Sequence, residues 1–205
     1  ILSKADEFGA ELIIVGAHGR FAGGRFLLGS ISQRVITEAK CSVRVGRAER
    51  EPAHRETKLV IGFDGSIGSQ IVVDAVANRT LPPGSKIKLV SAIEDGAPAA
   101  IGRFLPPAAY RLRSADDQER NWVARLAAEA AKKLRQLQVE TNSFVGRGSP
   151  KEIIVDQAEE WNADCVYVGA TEQGRPSARC MLGSTSVAVA TRASCSVEII
   201  RDPGQ

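Results

Sequence analysis

Histidine, methionine and aromatic residues are scarce in this sequence, with two histidines, one methionine and 5% aromatics in 205 residues. His18 and His54 stand far apart, and the four cysteines (Cys41, Cys165, Cys180, Cys195) include no C-x-x-C pair, so metal-site spacing is missing. A chain of this size builds a core without staples, which argues against a disulfide framework. Cys165, inside an apolar run, reads as a small core residue. No run approaches the ~20 apolar residues of a transmembrane helix, and no basic segment followed by an apolar one opens the chain. The expectation is a soluble cytoplasmic protein. A net charge of +3, evenly spread, argues against nucleic acid or a membrane surface as the main partner and leaves a small molecule or another protein.

What the sequence does contain is an internal repeat. Residues 5–17 (ADEFGAELIIVGA) match residues 158–170 (AEEWNADCVYVGA) at a constant offset of 153. After a one-residue insertion the match resumes at offset 154, where Leu28-Gly29-Ser30 faces Leu182-Gly183-Ser184 and residues 39–43 (AKCSV) face 193–197 (ASCSV). Residues 1–8 read as the middle of an amphipathic helix, so the sequence is expected to begin inside a domain. The predicted organisation is a partial copy over residues 1–47, a linker over 48–56 and a complete copy over 57–201.

In the complete copy, apolar runs at 58–63, 86–93, 138–145, 165–168 and 196–200 predict strands. Helical spacing follows the first strand until Pro82-Pro83-Gly84, and predicts helices at 151–161 and 184–191. A long helix starts near Ser114 and carries Trp122, Leu126, Ala130, Leu134 and Leu137 down one core-facing stripe. This alternation predicts a five-stranded parallel sheet with helices on both faces, a Rossmann-like α/β fold with strand order 3-2-1-4-5. Its topological switch point lies between the first and fourth strands, where ligands bind at the carboxyl ends.

Asp64 ends the first strand there. The loop after the fourth strand is glycine-rich and leads into a helix beginning near Ser184, where glycines admit close approach and unpaired N–H groups attract an anion. Asp64 can accept from a ribose hydroxyl or base amino group, and Ser184 and Thr185 can donate to phosphate oxygens.

In the partial copy, Gly16-Ala17-His18-Gly19, nine residues and then Gly29-Ser30 form the pattern G-x2-G-x9-G-[S/T]. This resembles the signature of the ATP-binding universal stress proteins. The resemblance covers nearly the whole chain, including the opening at residues 60–66 and the turn Gly148-Ser149-Pro150. It implies an adenine-nucleotide site, with Mg possible beside ATP, formed by Asp64, Ala92 near the adenine, Gly169, Gly183 and Ser184. The complete copy departs from the signature: Glu172 stands at the second glycine position, or that glycine is displaced to Gly174. A carboxylate beside a triphosphate repels it by about 1 kcal/mol at 4 Å in water and by more in a drier site. Arg175 and Arg179 offset this only if they face inward.

Structural readings stand beside these. Asp64 also fits a strand end that caps the next helix, Gly183-Ser184 an ordinary helix start, and His18 a solvated loop residue. The run from Gly65 to Ser69 weakly resembles the loop of ATP pyrophosphatases, but no catalytic constellation accompanies it. The implied function is a non-catalytic nucleotide-binding module in stress response or signalling. The alternative is a ligand-free interaction module, with its fifth strand pairing in a homodimer or with residues 42–46 of the same chain. The linker length would also let the partial copy displace its counterpart from the sheet.

Overall fold

Short apolar runs form strands, and the amphipathic stretches between them form helices, in the computed structural model, which describes residues 1–17, 28–47, 56–93, 115–170 and 182–202. In chain order the elements are α1 (Leu2–Phe8), β1 (Leu12–Gly16), α2 (Ser30–Glu38), β2 (Ser42–Gly46), β3 (Lys58–Gly62), α3 (Ile67–Ala77), β4 (Lys86–Ile93), α4 (Ala115–Arg135), β5 (Glu140–Arg147), α5 (Pro150–Glu160), β6 (Cys165–Gly169), α6 (Ser184–Arg192) and β7 (Ser196–Ile200). None of the described helices is long and apolar enough to cross a membrane.

The strands form one sheet in the order β1-β2-β7-β6-β3-β4-β5. Neighbours run parallel except β2 and β7, which are antiparallel. The expected five-stranded parallel sheet is thus corrected to a seven-stranded mixed one. The physical reason lies at β7, whose outer edge would expose a row of backbone donors and acceptors; β2 of the same chain covers it. No exchange of segments occurs, because β6 keeps its place between β3 and β7.

Each face of the sheet buries its own apolar cluster. One joins Ile154, Ala158, Val189 and Ala190 of α5 and α6 to Val35 and Ile36 of α2, over Val43, Val60, Val166 and Val197. The other packs Val72, Val73 and Val76 of α3 and Ala127, Ala131 and Leu134 of α4 over Leu59, Ile61, Ile87 and Leu89. Cys165 is buried with the second cluster, as its apolar surroundings predict. The stripe on α4 is core, but the helix stops at Arg135. Gln138 takes a left-handed φ of 58° just beyond, so β5 starts at Glu140 rather than at 138.

The first and last quarters of the chain share their detailed construction. α1 ends at Gly9 (φ 61°) and α5 is followed by Asn162 (φ 52°), the two residue types that tolerate the left-handed region most readily. Ala10 and Ala163 then donate back to the carbonyls of Ala5 and Ala158, at 2.9 and 2.8 Å. Where β2 meets β7, Arg47 reaches the carbonyls of Ala190 and Cys195, while Arg201 reaches the counterpart carbonyls of Ile36 and Cys41. The Ser196 and Ser42 hydroxyls accept from the Arg47 and Arg201 amides at 3.2 and 3.0 Å.

Candidate functional site

The sheet brings the carboxyl ends of β3, β4 and β6 side by side. β3 runs through Phe63, whose amide donates to Val90 of β4 at 2.9 Å, into the turn Asp64-Gly65-Ser66. Gly65 has φ +79°, which favours glycine, and a Cβ there would lie 2.7 Å from Leu126 of α4. The Asp64 carboxylate is exposed, and its Oδ1 accepts the Ser66 amide at 3.0 Å. Ser66 in turn caps α3, its hydroxyl accepting the Ser69 amide at 3.1 Å. The capping reading of this turn therefore holds for Ser66, while Asp64 shapes the turn and presents its carboxylate outward.

On β6, Gly169 faces the start of α3 across a very short gap. A Cβ built on Gly169 would sit 3.1 Å from the Gly68 carbonyl oxygen, so the first turn of α3, which follows the Asp64 turn, lies close against the end of β6. Ala170 donates to Ile200 at 2.9 Å, and Gly183 donates to Ala170 at 2.9 Å. That last bond closes the base of the loop between β6 and α6. Gly183 is the extended N-cap of α6 (φ −60°, ψ 142°), Ser184 is exposed in its first turn, and Thr185 is half-buried. Gly174, Glu172, Arg175 and Arg179 lie outside the described residues. Ala92 is half-buried near the end of β4, opposite Gly146 of β5.

Asp64, Gly169, Gly183, Ser184 and Thr185 are thus gathered around one sheet end, with Ala92 two strands from β6. The arrangement suits an anionic ligand with hydrogen-bonding groups: a carboxylate acceptor on one wall, and the amide end of α6 with two hydroxyls on the other. Gly169 lets the end of β6 approach the first turn of α3 more closely than a residue with a Cβ would allow.

The other predicted residues lie elsewhere. Gly16, Gly29 and Ser30 belong to β1 and the start of α2, with β2, β7 and β6 between them and β3. Because β2 runs antiparallel to β7, the β1–α2 connection emerges at the opposite end of the sheet from the β6–α6 connection. The base of that connection has the same closure, Gly29 donating to Ala17 at 2.8 Å, with Gly19 outside the described residues. Among the described residues β1 pairs with β2 alone, and no β3-like strand stands beside it.

Sequence reasoning missed two sets of residues. Ser186 and Ser32 each donate from the first turn of their helices to the carbonyl of the strand-end glycine, Gly169 at 2.5 Å and Gly16 at 2.6 Å. The shared Gly-Ser-x-Ser at residues 29–32 and 183–186 was the available signal. The second set surrounds Glu198, which is fully buried in β7 yet accepts from Arg44 of β2 and Arg79 beyond α3. Both arginines also lie over the Tyr167 ring, at 6.0 and 5.4 Å from its centre. The paired carboxylate raises the Arg79 guanidinium's pKa further, whereas burial lowers that of Arg47. Burial pushes the Cys165 thiol up to about 12 and the Tyr167 phenol to about 12.

Comparison with known proteins gives a consistent picture. A universal stress protein of Mycolicibacterium smegmatis is 27% identical over 194 residues, covering 94% of this chain and 62% of its own length. One from Mycobacterium tuberculosis is 30% identical over 88 residues, 42% of this chain and 30% of the relative. The chain therefore spans less than two thirds of the length of these relatives. Among solved structures, a universal stress protein from Archaeoglobus fulgidus superposes with a TM-score of 0.63 at 18% identity, over 98% of this chain and 63% of that one. A putative universal stress protein from Pseudomonas aeruginosa superposes with a TM-score of 0.67 at 13% identity, over 97% and 66%. These superpositions concern the fold alone. The sequence profile of the Universal stress protein family matches residues 1–47 and, separately, 56–201, which is nearly the whole sequence, and the chain belongs to that family.

Proposed function

We propose that residues 57–201 form a non-catalytic universal stress domain that binds an adenine nucleotide, with ATP as the ligand and Mg²⁺ accompanying it, in stress response or signalling. Residues 1–47 are a partial copy of the same unit, joined through 48–56. The observation that carries this reading is the close approach of Gly169 to Gly68, which sets the first turn of α3, directly after the Asp64 turn, against the strand that feeds the glycine loop. Asp64 would accept from ribose or base, Ala92 would line the adenine side, and Gly183, Ser184 and Thr185 would meet the phosphates. Nothing in this group pairs a nucleophile with a base, which favours binding over chemistry.

Calorimetric titration of the full chain with Mg-ATP tests the reading. Micromolar binding, weakened at least about tenfold in Asp64→Ala by loss of a charge-assisted hydrogen bond, is the expected result. No binding by the native chain, with binding gained in Glu172→Gly, would instead mean a lapsed site and a function in protein pairing.

A further inference from the structure

The β2–β7 contact relates equivalent strands by an approximate twofold axis. Val43 pairs with Ile199, Arg44 with Glu198 and Val45 with Val197. Since residues 43–45 match 197–199 at offset 154, each outer pair joins a position to the counterpart of the other. Arg44 and Glu198 are each other's counterparts and sit on the axis itself. A second copy of this chain approaching β7 in the same register would place Glu198 opposite Glu198.

Most of this interface would look the same to either partner. Val43 and Val45 match Val197 and Ile199 in character, and all four are fully buried. The clamp is also shared, because Arg47 and Arg201 make matching bonds to matching helix-end carbonyls. Apolar burial and backbone pairing therefore do not distinguish β2 from a second β7. The charge on the axis does. Glu198 accepts the Arg44 Nε at 2.8 Å and a second Arg44 nitrogen lies 2.6 Å from the same oxygen, while Arg44 also donates to the Tyr167 hydroxyl at 3.1 Å. In a symmetric pair each Glu198 would keep its own Arg79, but the bonds from Arg44 would be gone and two buried carboxylates would face each other across adjacent strands.

We propose that Glu198 is the specificity-determining residue of the β7 edge: it selects a strand with a cation at its central position, supplied here by Arg44, over a second copy of β7. The β7 edge is thereby reserved for a heterotypic partner, and the chain does not self-associate through it. This inference does not depend on nucleotide binding.

The variant Arg44→Glu reproduces within one chain the charge arrangement of a β7–β7 pair. Amide hydrogen exchange on the full chain should show β2 and β7 exchanging at least about tenfold faster than in the native protein, with β3 and β4 unchanged. Adding Glu198→Gln should restore most of the protection. Sedimentation should find the native chain and Arg44→Glu free of any dimer whose formation protects β7. Unchanged exchange in Arg44→Glu, or β7 protection that rises with protein concentration, would overturn the proposal. Should Arg44→Glu unfold the whole chain, Arg44→Gln serves: Glu198→Gln must then slow the exchange of β2 and β7 in the double variant, and failure to do so overturns the proposal equally.

Discussion

The unit α1-β1-α2-β2 and the unit α5-β6-α6-β7 share a backbone plan down to single hydrogen bonds, yet among the described residues only the second has a strand against its outer edge. Both close the base of their glycine loop, through Gly29 to Ala17 and Gly183 to Ala170. Both tether the following helix by a serine hydroxyl. What differs is β3, which pairs with β6 and carries Asp64 to the loop, and α3, which covers the sheet beside it. Ile14 and Tyr167 occupy matching positions, but Ile14 is 64% exposed and Tyr167 only 3%. The closure at the loop's base and the serine tether are thus properties of the repeated segment, whereas the candidate site needs β3 and α3 as well.

Substitution at that matched pair should give the sharpest contrast. Tyr167→Ala should cost about 3–4 kcal/mol through the buried volume lost, and Ile14→Ala less than about 0.5 kcal/mol, both read from urea unfolding. Next comes the contact between β6 and α3: Gly169→Ala should cost about 2 kcal/mol, since the first turn of α3 must retreat from the new methyl group, and should weaken ATP binding as well. A cost within experimental error would mean that the contact yields freely.

Alkaline pH should loosen the β6 region through Cys165. Burial raises its thiol from the ordinary 9.0 to about 12, so the folded state holds a proton that the unfolded chain releases. The stabilisation is complete below pH 9 and is lost as pH rises through 9 towards 12. Between pH 9 and 10 the loss from this group is about 1 kcal/mol. The native chain should accordingly lose that much more stability over this interval than Cys165→Ala, and equal losses would contradict the assignment. The last contrast concerns the shared feature: Ser32→Ala and Ser186→Ala should each cost about 1 kcal/mol for one hydrogen bond. Widely unequal costs would break the equivalence of the two units.

Much of this architecture was legible because the repeat and the apolar runs lie in contiguous sequence. Gly9 and the asparagine at 162, the Pro82-Pro83-Gly84 turn and the stripe on α4 all announce local backbone choices. The mixed sheet was only half legible. Residues 42–46 could be named as a partner for the last strand, but an apolar run does not state which edge it will cover or in which direction. Glu198 was opaque for a similar reason. An acid in the run SVEII reads as a solvent-facing strand position until Arg44 and Arg79, distant in sequence, are seen to meet it. The same limit applied to Gly169, whose need for glycine arises from Gly68 on another element.

The most direct test of a site confined to the second unit is amide hydrogen exchange of the full chain with and without Mg-ATP. Added protection is expected at residues 63–66, 169–170 and 183–186, with none at 16–17 and 29–32. Protection appearing at 16–17 and 29–32 while the second unit stays unchanged would contradict the assignment of nucleotide binding to Asp64, Gly169 and Gly183.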